Sequence, residues 1–160
     1  LNFEKFKILK KNQKKLKKVE MFYGKKEIIN SYKKPFFDWL PHPLALMVKY
    51  FGYPKKFNII KFLRKKRGTK VLEDLKIEFL FNNFKIFIFF SNFLKKRKKK
   101  IFISKNNKKE IYDGYKKKNR RTVKILLEKF YKETKINELS TFYGTYKLLF
   151  KIDSKLKKLK

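Results

Sequence analysis

The apolar side chains in the first third of the sequence recur at helical spacing. Residues 3–19 place phenylalanine, leucine and valine on one face and lysines over the rest, which predicts a basic amphipathic helix. A second apolar block predicts a helix over residues 44–51. Pro43 suits its first turn, and Gly52 and Pro54 would end it.

Three later segments repeat the helical pattern. Residues 55–70 predict a short helix that closes in a basic turn at Gly68. Thr122 is a good N-cap for the sequence VKILLEKFYKE, and a last helix would start at Asn137 or Ser140. That last helix would carry its apolar side chains on one side: Leu139, Phe142, Tyr143, Tyr146, Leu149 and Phe150.

The densest apolar segment predicts a strand instead of a helix. Residues 84–90 combine aromatic and β-branched side chains, which favour strands, and the sequence KIFIS at 100–104 predicts a short partner strand. The six consecutive cations at 95–100 would then form the tip of a long hairpin.

A membrane span over residues 77–94 is the competing interpretation, with the cations at 95–100 on its flank. Five polar or charged residues interrupt this segment: Glu78, Asn82, Asn83, Lys85 and Asn92. A lysine or an acidic residue near the bilayer centre costs about 2.5–3.5 kcal/mol, whereas each apolar residue contributes only about 0.3–0.6 kcal/mol. The balance makes insertion marginal.

These elements predict the α+β class: one small mixed domain with a β-hairpin and several short amphipathic helices, plus basic extensions. Residues 1–20 would be a basic N-terminal helix or extension. Residues 21–152 would form the domain, with a basic finger at 95–100, and residues 153–160 a basic tail.

Charge changes the picture more than any other property. The chain of 160 residues has 47 Lys and Arg against 13 Asp and Glu, a formal net charge of +34. Compact folding at this charge density is costly unless an anionic partner neutralises the lysines, so a polyanion is the expected partner. Only residues 71–94 depart from the trend, with two lysines and three carboxylates.

The sequence offers little for catalysis or metal binding. Cysteine is absent, and the single histidine, His42, sits between two prolines, so we expect no metal site and no cofactor. All five glycines are isolated, which excludes the glycine-rich phosphate loops. Glu73, Asp74 and Glu78 are the one acidic cluster in the sequence. They support one hypothesis of function, a small metal-dependent nuclease, because such a cluster could hold a metal ion beside a phosphate.

Lysine meets phosphates as a point charge without recognising bases, so the basic segments predict contacts to a nucleic-acid backbone whose recognition depends on shape. The predicted RNA-binding residues are Arg64, Lys65, Lys66, Arg67, Lys95, Lys96, Arg97, Lys98, Lys99, Lys100, Lys116, Lys117, Lys118, Arg120 and Arg121.

The segments RKKRGTK at 64–70, KKRKKK at 95–100 and KKKNRR at 116–121, together with the basic ends, resemble ribosomal proteins. The resemblance is to the small, A+T-biased, lysine-rich ones encoded in protist mitochondrial genomes. It implies a structural, non-enzymatic component of a mitochondrial ribosome in the matrix. Its partners would be ribosomal RNA and neighbouring ribosomal proteins, with no small-molecule substrate and no membrane. The alternative is an accessory subunit of an inner-membrane respiratory complex that uses 77–94 as a span.

Overall fold

A computed structural model of the chain describes residues 15–26, 37, 39–68, 70–94, 98–105, 108–113 and 136–159. These residues form six strands and two helices. In chain order they are β1 (Leu16–Lys26), α1 (Pro41–Phe51), β2 (Lys56–Arg67), β3 (Lys70–Leu80), β4 (Lys85–Leu94), β5 (Lys98–Lys105), β6 (Lys108–Asp113) and α2 (Ile136–Lys157).

The six strands form one mixed sheet in the order β2-β3-β4-β1-β5-β6. β1 is parallel to β4, and every other neighbouring pair is antiparallel. β1 therefore lies between β4 and β5. The predicted strands at 84–90 and 100–104 do form, but they are not each other's partners, so the predicted hairpin with a finger at 95–100 is wrong.

The predicted fold class is also wrong, because a six-stranded sheet dominates the described residues and only two helices accompany it. The clearest error is residues 55–70, which form β2 and not a helix. Ile59 pairs with Ile77 and Phe62 with Leu75 across a bulge between Ile59 and Lys61. The bulge shifts the alternation by one residue and so imitates helical spacing, while pairing with β3 decides the structure.

Two further predictions concern residues that lie in strands of the sheet. The N-terminal helix predicted over residues 3–19 is wrong where the structure describes it, because Leu16 and the residues after it belong to β1; residues 1–14 lie outside the described part. The segment 77–94 is divided between β3 and β4 by a turn. No helix in the described residues is long and apolar enough to cross a membrane. The helix predicted after Thr122 lies outside the described residues.

Helix α1 confirms its prediction. Its first turn contains Pro41 and Pro43, where a missing amide N–H costs nothing, and the Leu44 amide donates to the Leu40 carbonyl at 3.1 Å. The helix ends at Gly52, whose φ of 85° lies in the region that favours glycine.

Both helices pack on the same face of the sheet, which we call the core face. Alternate residues of the four central strands point into this layer: Val19 and Met21 in β1, Ile77 and Phe79 in β3, Ile86 and Ile88 in β4, and Ile101 and Ile103 in β5. Leu44 and Met47 of α1 and Leu148 and Ile152 of α2 complete the cluster. The core is therefore a single layer between one sheet face and two helices.

Helix α2 begins at Ile136 and continues through most of the predicted basic tail, to Lys157. Its buried stripe is Leu148, Leu149, Ile152 and Leu156. The predicted apolar side was right at Leu149 and wrong at four aromatic residues, which are exposed: Phe142, Tyr143, Tyr146 and Phe150. The side chain of Leu139 lies outside the described part. Ile152 and Leu156, beyond the expected end of the apolar block, set the direction in which α2 faces the core.

Gly144 allows α1 and α2 to approach closely. A Cβ atom at this position would lie 3.3 Å from Cγ1 of Val48 and 3.7 Å from Cδ2 of Tyr53. The first separation is tighter than an ordinary van der Waals contact, so a larger side chain must push α1 away.

We expect Gly144→Val to lower the free energy of unfolding by about 1–3 kcal/mol through overpacking. Urea denaturation measures the change. The matched control is Ser154→Val, which introduces the same side chain at an exposed position of the same helix and should change stability by about 0.5 kcal/mol or less. Equal effects of the two substitutions would show that the close approach does not constrain residue 144.

Candidate functional site: the open face of the sheet

The face of the sheet opposite the core face carries neither of the two described helices, and we call it the open face. Side chains alternate between the two faces, as the buried and partly buried residues of β4 show. Four phenylalanines lie near the middle of the open face, and we call them the aromatic strip: Phe22 in β1, Phe87 and Phe89 in β4, and Phe102 in β5.

The aromatic strip is held by ring contacts across three strands. Phe22 and Phe89 are direct partners in the parallel ladder, and their rings stack with centroids 4.2 Å apart and planes 3° from parallel. Phe102 meets Phe22 edge to face at 5.3 Å, and Phe87 lies 6.5 Å from Phe89. All four rings are only partly buried.

Lysine ammonium groups lie over the rings of the strip. The Lys76 Nζ is 5.5 Å from the Phe87 centroid and 5.1 Å from the Phe89 centroid, and the Lys18 Nζ is 4.9 Å from the Phe87 centroid. Such contacts stabilise a cation by about 0.5–1 kcal/mol at exposed sites.

Three carboxylates on the same face pair with lysines. Glu20 accepts from Lys18 at 2.8 Å, Asp74 from Lys61 at 2.5 Å, and Glu78 from Lys85 at 2.9 Å. Asn58 also donates to Glu78, at 3.0 Å. The hydrogen bond from Lys85 and then that from Asn58 lower the pKa of Glu78.

Around the aromatic strip, the three carboxylates Glu20, Asp74 and Glu78 offset part of the positive charge of the open face. The lysines on this face include Lys18, Lys76 and Lys85, the Asp74 partner Lys61, and Lys100, which is paired with Phe22 in the ladder between β1 and β5. In a chain of net charge +34, an aromatic patch with a carboxylate beside three of its lysines is a local exception. Cores of protein interfaces are likewise enriched in aromatic residues.

The core face ends in a buried polar row that sequence analysis did not anticipate. Glu73 is fully buried and accepts from Arg64 through Nε, at 2.7 Å, and through a terminal guanidinium nitrogen. The Glu73 amide donates to Oδ1 of Asn92 at 2.5 Å, and Nδ2 of Asn92 donates to the Val71 carbonyl at 2.8 Å. These contacts tie β2, β3 and β4 together. Strand alternation places Arg64, Glu73 and Asn92 in one row once the register is known.

The structure separates the predicted RNA-binding residues. Arg64 is committed to buried Glu73, whereas its neighbours Lys65 and Lys66 are exposed on the edge strand β2. Arg67 ends β2. The remaining members outside β5 lie beyond the described residues: Lys95, Lys96, Arg97, Lys116, Lys117, Lys118, Arg120 and Arg121.

The cations of β5 do not join those of β2. Lys98 shares a row with Leu63, four strand spacings away, which is about 19 Å. Lys99 and Lys100 point to opposite faces of the sheet. Burial lowers the pKa of Lys99, whose ammonium lies 5.4 Å from the Tyr23 ring centroid. The described cations thus do not form one continuous basic surface.

The acidic cluster proposed for a nuclease is also divided. Glu73 is buried on the core face, whereas Asp74 and Glu78 lie on the open face with different lysine partners. Among the residues that the structure describes, no group of three His, Cys, Asp or Glu side chains could hold a metal ion.

Several solved structures are similar to this fold. A protein from Magnetospirillum magnetotacticum MS-1, designated an oxidoreductase, gives a TM-score of 0.57 at 14% identity over 68% of this chain and 36% of its own. One with the same designation from Yersinia pestis gives 0.57 at 11% identity, over 96% and 60%. A dehydrogenase from Clostridium difficile gives 0.57 at 11% identity, over 94% and 59%. No protein-family model and no curated protein matches the sequence.

At these identities the similarity shows the fold alone. The chain spans between 36% and 60% of the lengths of these three proteins.

The predicted function is wrong in the light of this fold. The chain folds like part of oxidoreductases and dehydrogenases, which overturns the structural role in a mitochondrial ribosome and the partners assigned with it, ribosomal RNA and ribosomal proteins. The predictions that the protein is not an enzyme and has no small-molecule substrate are wrong for the same reason. The alternative of a respiratory subunit with a span at 77–94 is also wrong, because no helix in the described residues could cross a membrane. Lysine usage misled because A+T-rich coding raises it in any protein, whatever the fold.

Despite this similarity, the described residues do not form the dinucleotide-binding site that is typical of parallel sheets. Such a site lies at the carboxyl ends of parallel strands, beside a glycine-rich turn that opens a helix. Here β1 and β4 are the one parallel pair among the described strands, and every glycine in the sequence is isolated. The open face, with its aromatic strip, is therefore the candidate functional surface.

We expect Arg64→Ala to lower the free energy of unfolding by about 3 kcal/mol, because Arg64 donates to the buried Glu73 carboxylate through two guanidinium nitrogens. Urea denaturation at neutral pH measures the loss. Lys65→Ala removes an exposed cation from the next position and should cost about 0.5 kcal/mol or less. Adding Glu73→Gln to Arg64→Ala should recover part of the loss. If Arg64→Ala matched Lys65→Ala, the buried pair would not hold the row together.

The lowered pKa of Glu78 predicts an acid-dependent loss of stability. A carboxyl group whose pKa is lower in the folded state than in the unfolded state stabilises the fold above its unfolded pKa, and this contribution disappears as pH falls through the folded pKa. We expect wild-type protein to lose more thermal stability below pH 4.5 than Glu78→Gln does, so that the two melting curves converge in acid. Parallel pH profiles of the two proteins would contradict the assignment.

Proposed function

We propose that this chain is the sheet domain of an oxidoreductase-like protein and that its open face is an assembly surface, packed against the same face of a second copy. The single observation that carries this is the aromatic strip in the middle of the sheet, with three carboxylates paired to lysines around it. The similar structures support the oxidoreductase context, since each matches this fold over part of its length.

The dimensions of the face suit an interface. Six strands of 6 to 12 residues, about 20–40 Å long and about 4.8 Å apart, present roughly 900 Å² in projection. A stable interface buries about 800 Å² on each partner, so one sheet face has the size that an interface needs.

Charge selects a second copy of this face over other surfaces of the chain. Two molecules of a chain with net charge +34 repel each other, and the repulsion is reduced where carboxylates lie beside lysines on the facing surfaces. A two-fold axis through the strip would place the same patch on both sides, as symmetric dimers require. The stacked pair Phe22 and Phe89 would lie close to such an axis.

Salt provides a direct discriminator. Self-association between cationic molecules strengthens as salt screens their repulsion. Binding to a polyanion weakens instead, because added salt makes the release of its counterions less favourable. Sedimentation velocity at low and high ionic strength therefore separates the two kinds of assembly.

We expect Phe89→Lys to weaken self-association by about thirtyfold, since it removes a central aromatic contact and adds a charge to each side of the interface. Ile60→Lys is the matched control, because it adds the same charge at an exposed apolar position on the edge strand β2. Glu20→Lys provides a second disruptive variant that keeps all four rings.

Circular dichroism and thermal unfolding establish that each variant is folded before its mass is measured. A wild-type chain that remains monomeric at high salt and high concentration would overturn the proposal. Equal association of Phe89→Lys and Ile60→Lys would also overturn it, since assembly would then use another surface.

A further inference from the structure

The outward side of α2 carries four aromatic side chains that the core does not use. Phe142, Tyr143, Tyr146 and Phe150 are 65%, 68%, 50% and 52% exposed, and we call them the aromatic ridge. Neighbouring rings touch along the helix, with centroids 5.5 Å apart between Phe142 and Tyr146 and 5.0 Å apart between Tyr146 and Phe150. The ridge is therefore one continuous apolar feature more than two helical turns long.

A row of lysines runs beside the aromatic ridge on the same helix. Lys147, Lys151, Lys155 and Lys158 follow one another at intervals of three or four residues, all are exposed, and we call them the lysine row. With Phe150 and Ser154 they line an open groove of about 610 Å³.

The ammonium groups of the lysine row are held near rings. The Lys147 Nζ lies 5.9 Å from the Tyr143 centroid, and the Lys155 Nζ lies 5.2 Å from the Phe57 centroid. The Lys151 Nζ lies 5.9 Å from the Tyr53 centroid. These contacts aim the charges along one side of the helix and keep them next to the exposed rings.

The outer side of α2 offers no carboxylate to these lysines from residues 141–159. Asp153 is the one acidic residue in that range; it is 6% exposed and accepts from Lys157 at 3.1 Å. The described part of α2 thus presents exposed rings and unneutralised positive charge side by side.

We propose that α2 docks this protein on an anionic lipid surface, with the aromatic ridge at the level where headgroups meet acyl chains and the lysine row on lipid phosphates. Helices that lie in a membrane interface combine lysines with large apolar side chains in this way. Two of the four rings are tyrosines, whose polar hydroxyl and apolar ring suit the interface. Lysine stems extend so that ammonium and ring can sit at different depths.

The shape of α2 favours a lipid surface over a protein partner. Each ring of the aromatic ridge is at least half exposed, so the rings project from a convex surface. A bilayer interface deforms around such projections, whereas a protein must offer a matching pocket for each of them. The inner side of α2 is anchored by Leu148, Ile152 and Leu156, so the docking face is formed before binding.

This inference does not rest on the proposed assembly surface. α2 packs on the core face, and the open face lies on the other side of the sheet. A chain that fails to self-associate can still dock through α2, and the reverse also holds.

Co-sedimentation of the full chain with vesicles tests the proposal. We expect binding to phosphatidylcholine vesicles that contain phosphatidylserine, and far weaker binding to phosphatidylcholine alone. Lys147→Ala with Lys151→Ala should weaken binding by about thirtyfold at low salt, because each lysine near an anionic surface contributes about fivefold. Lys65→Ala with Lys66→Ala removes the same charge from β2 and should change binding by about twofold or less.

A second variant tests the aromatic ridge separately. Phe142→Gln with Phe150→Gln keeps the helix and every charge, and we expect it to weaken vesicle binding by about tenfold. If this variant bound like wild type, charge alone would hold the protein and the proposal would be overturned. Equal losses for the two lysine pairs would overturn it as well. Absence of vesicle binding by folded wild-type protein would assign the face to a protein partner instead.

Discussion

Charge compensation on the sheet is the constraint on which the rest of the structure depends. The chain carries 34 more cations than carboxylates, yet the carboxylates described on β1 and β3 each lie beside a lysine or arginine. Glu73 is fully buried, and Arg64 stabilises its charge. The strands still carry excess positive charge, but most of the excess lies elsewhere in the chain.

This distribution gives the two sides of the molecule different characters. The open face is aromatic at its centre, with carboxylates paired to some of its lysines, which suits contact with another protein surface. The side covered by the helices presents the lysine row of α2 beside exposed rings. A protein that looks uniformly basic by composition thus offers one surface with partly compensated charge and another with concentrated charge.

The sequence predicted local elements better than their arrangement. Pro43 and Gly52 marked α1 correctly because helix ends depend on neighbouring residues. Residues 84–90 were recognised as a strand, but their pairing with β1, some seventy positions earlier, leaves no local signal. The bulge after Ile59 disguised β2 as a helix, and the direction of α2 depended on Ile152 and Leu156.

The candidate site was predictable only in part. Phe87 and Phe89 were visible as apolar residues, but only the register brings Phe22 against Phe89 and pairs Lys61 with Asp74 and Lys85 with Glu78. Lysine content pointed to a ribosomal protein because it describes an average over the chain, and the fold contradicts that role. The mitochondrial location stays a prediction.

The central position of β1 has a consequence for the order of folding. β1 comes first among the described strands, but its two partners begin at Lys85 and Lys98, so it must stay unpaired while some sixty residues are synthesised. β2, β3 and β4 are joined by short turns and can pair early. β1 enters between β4 and β5 only after a long loop has closed, so we expect this insertion to come late and to leave the edge of β4 exposed until it is complete.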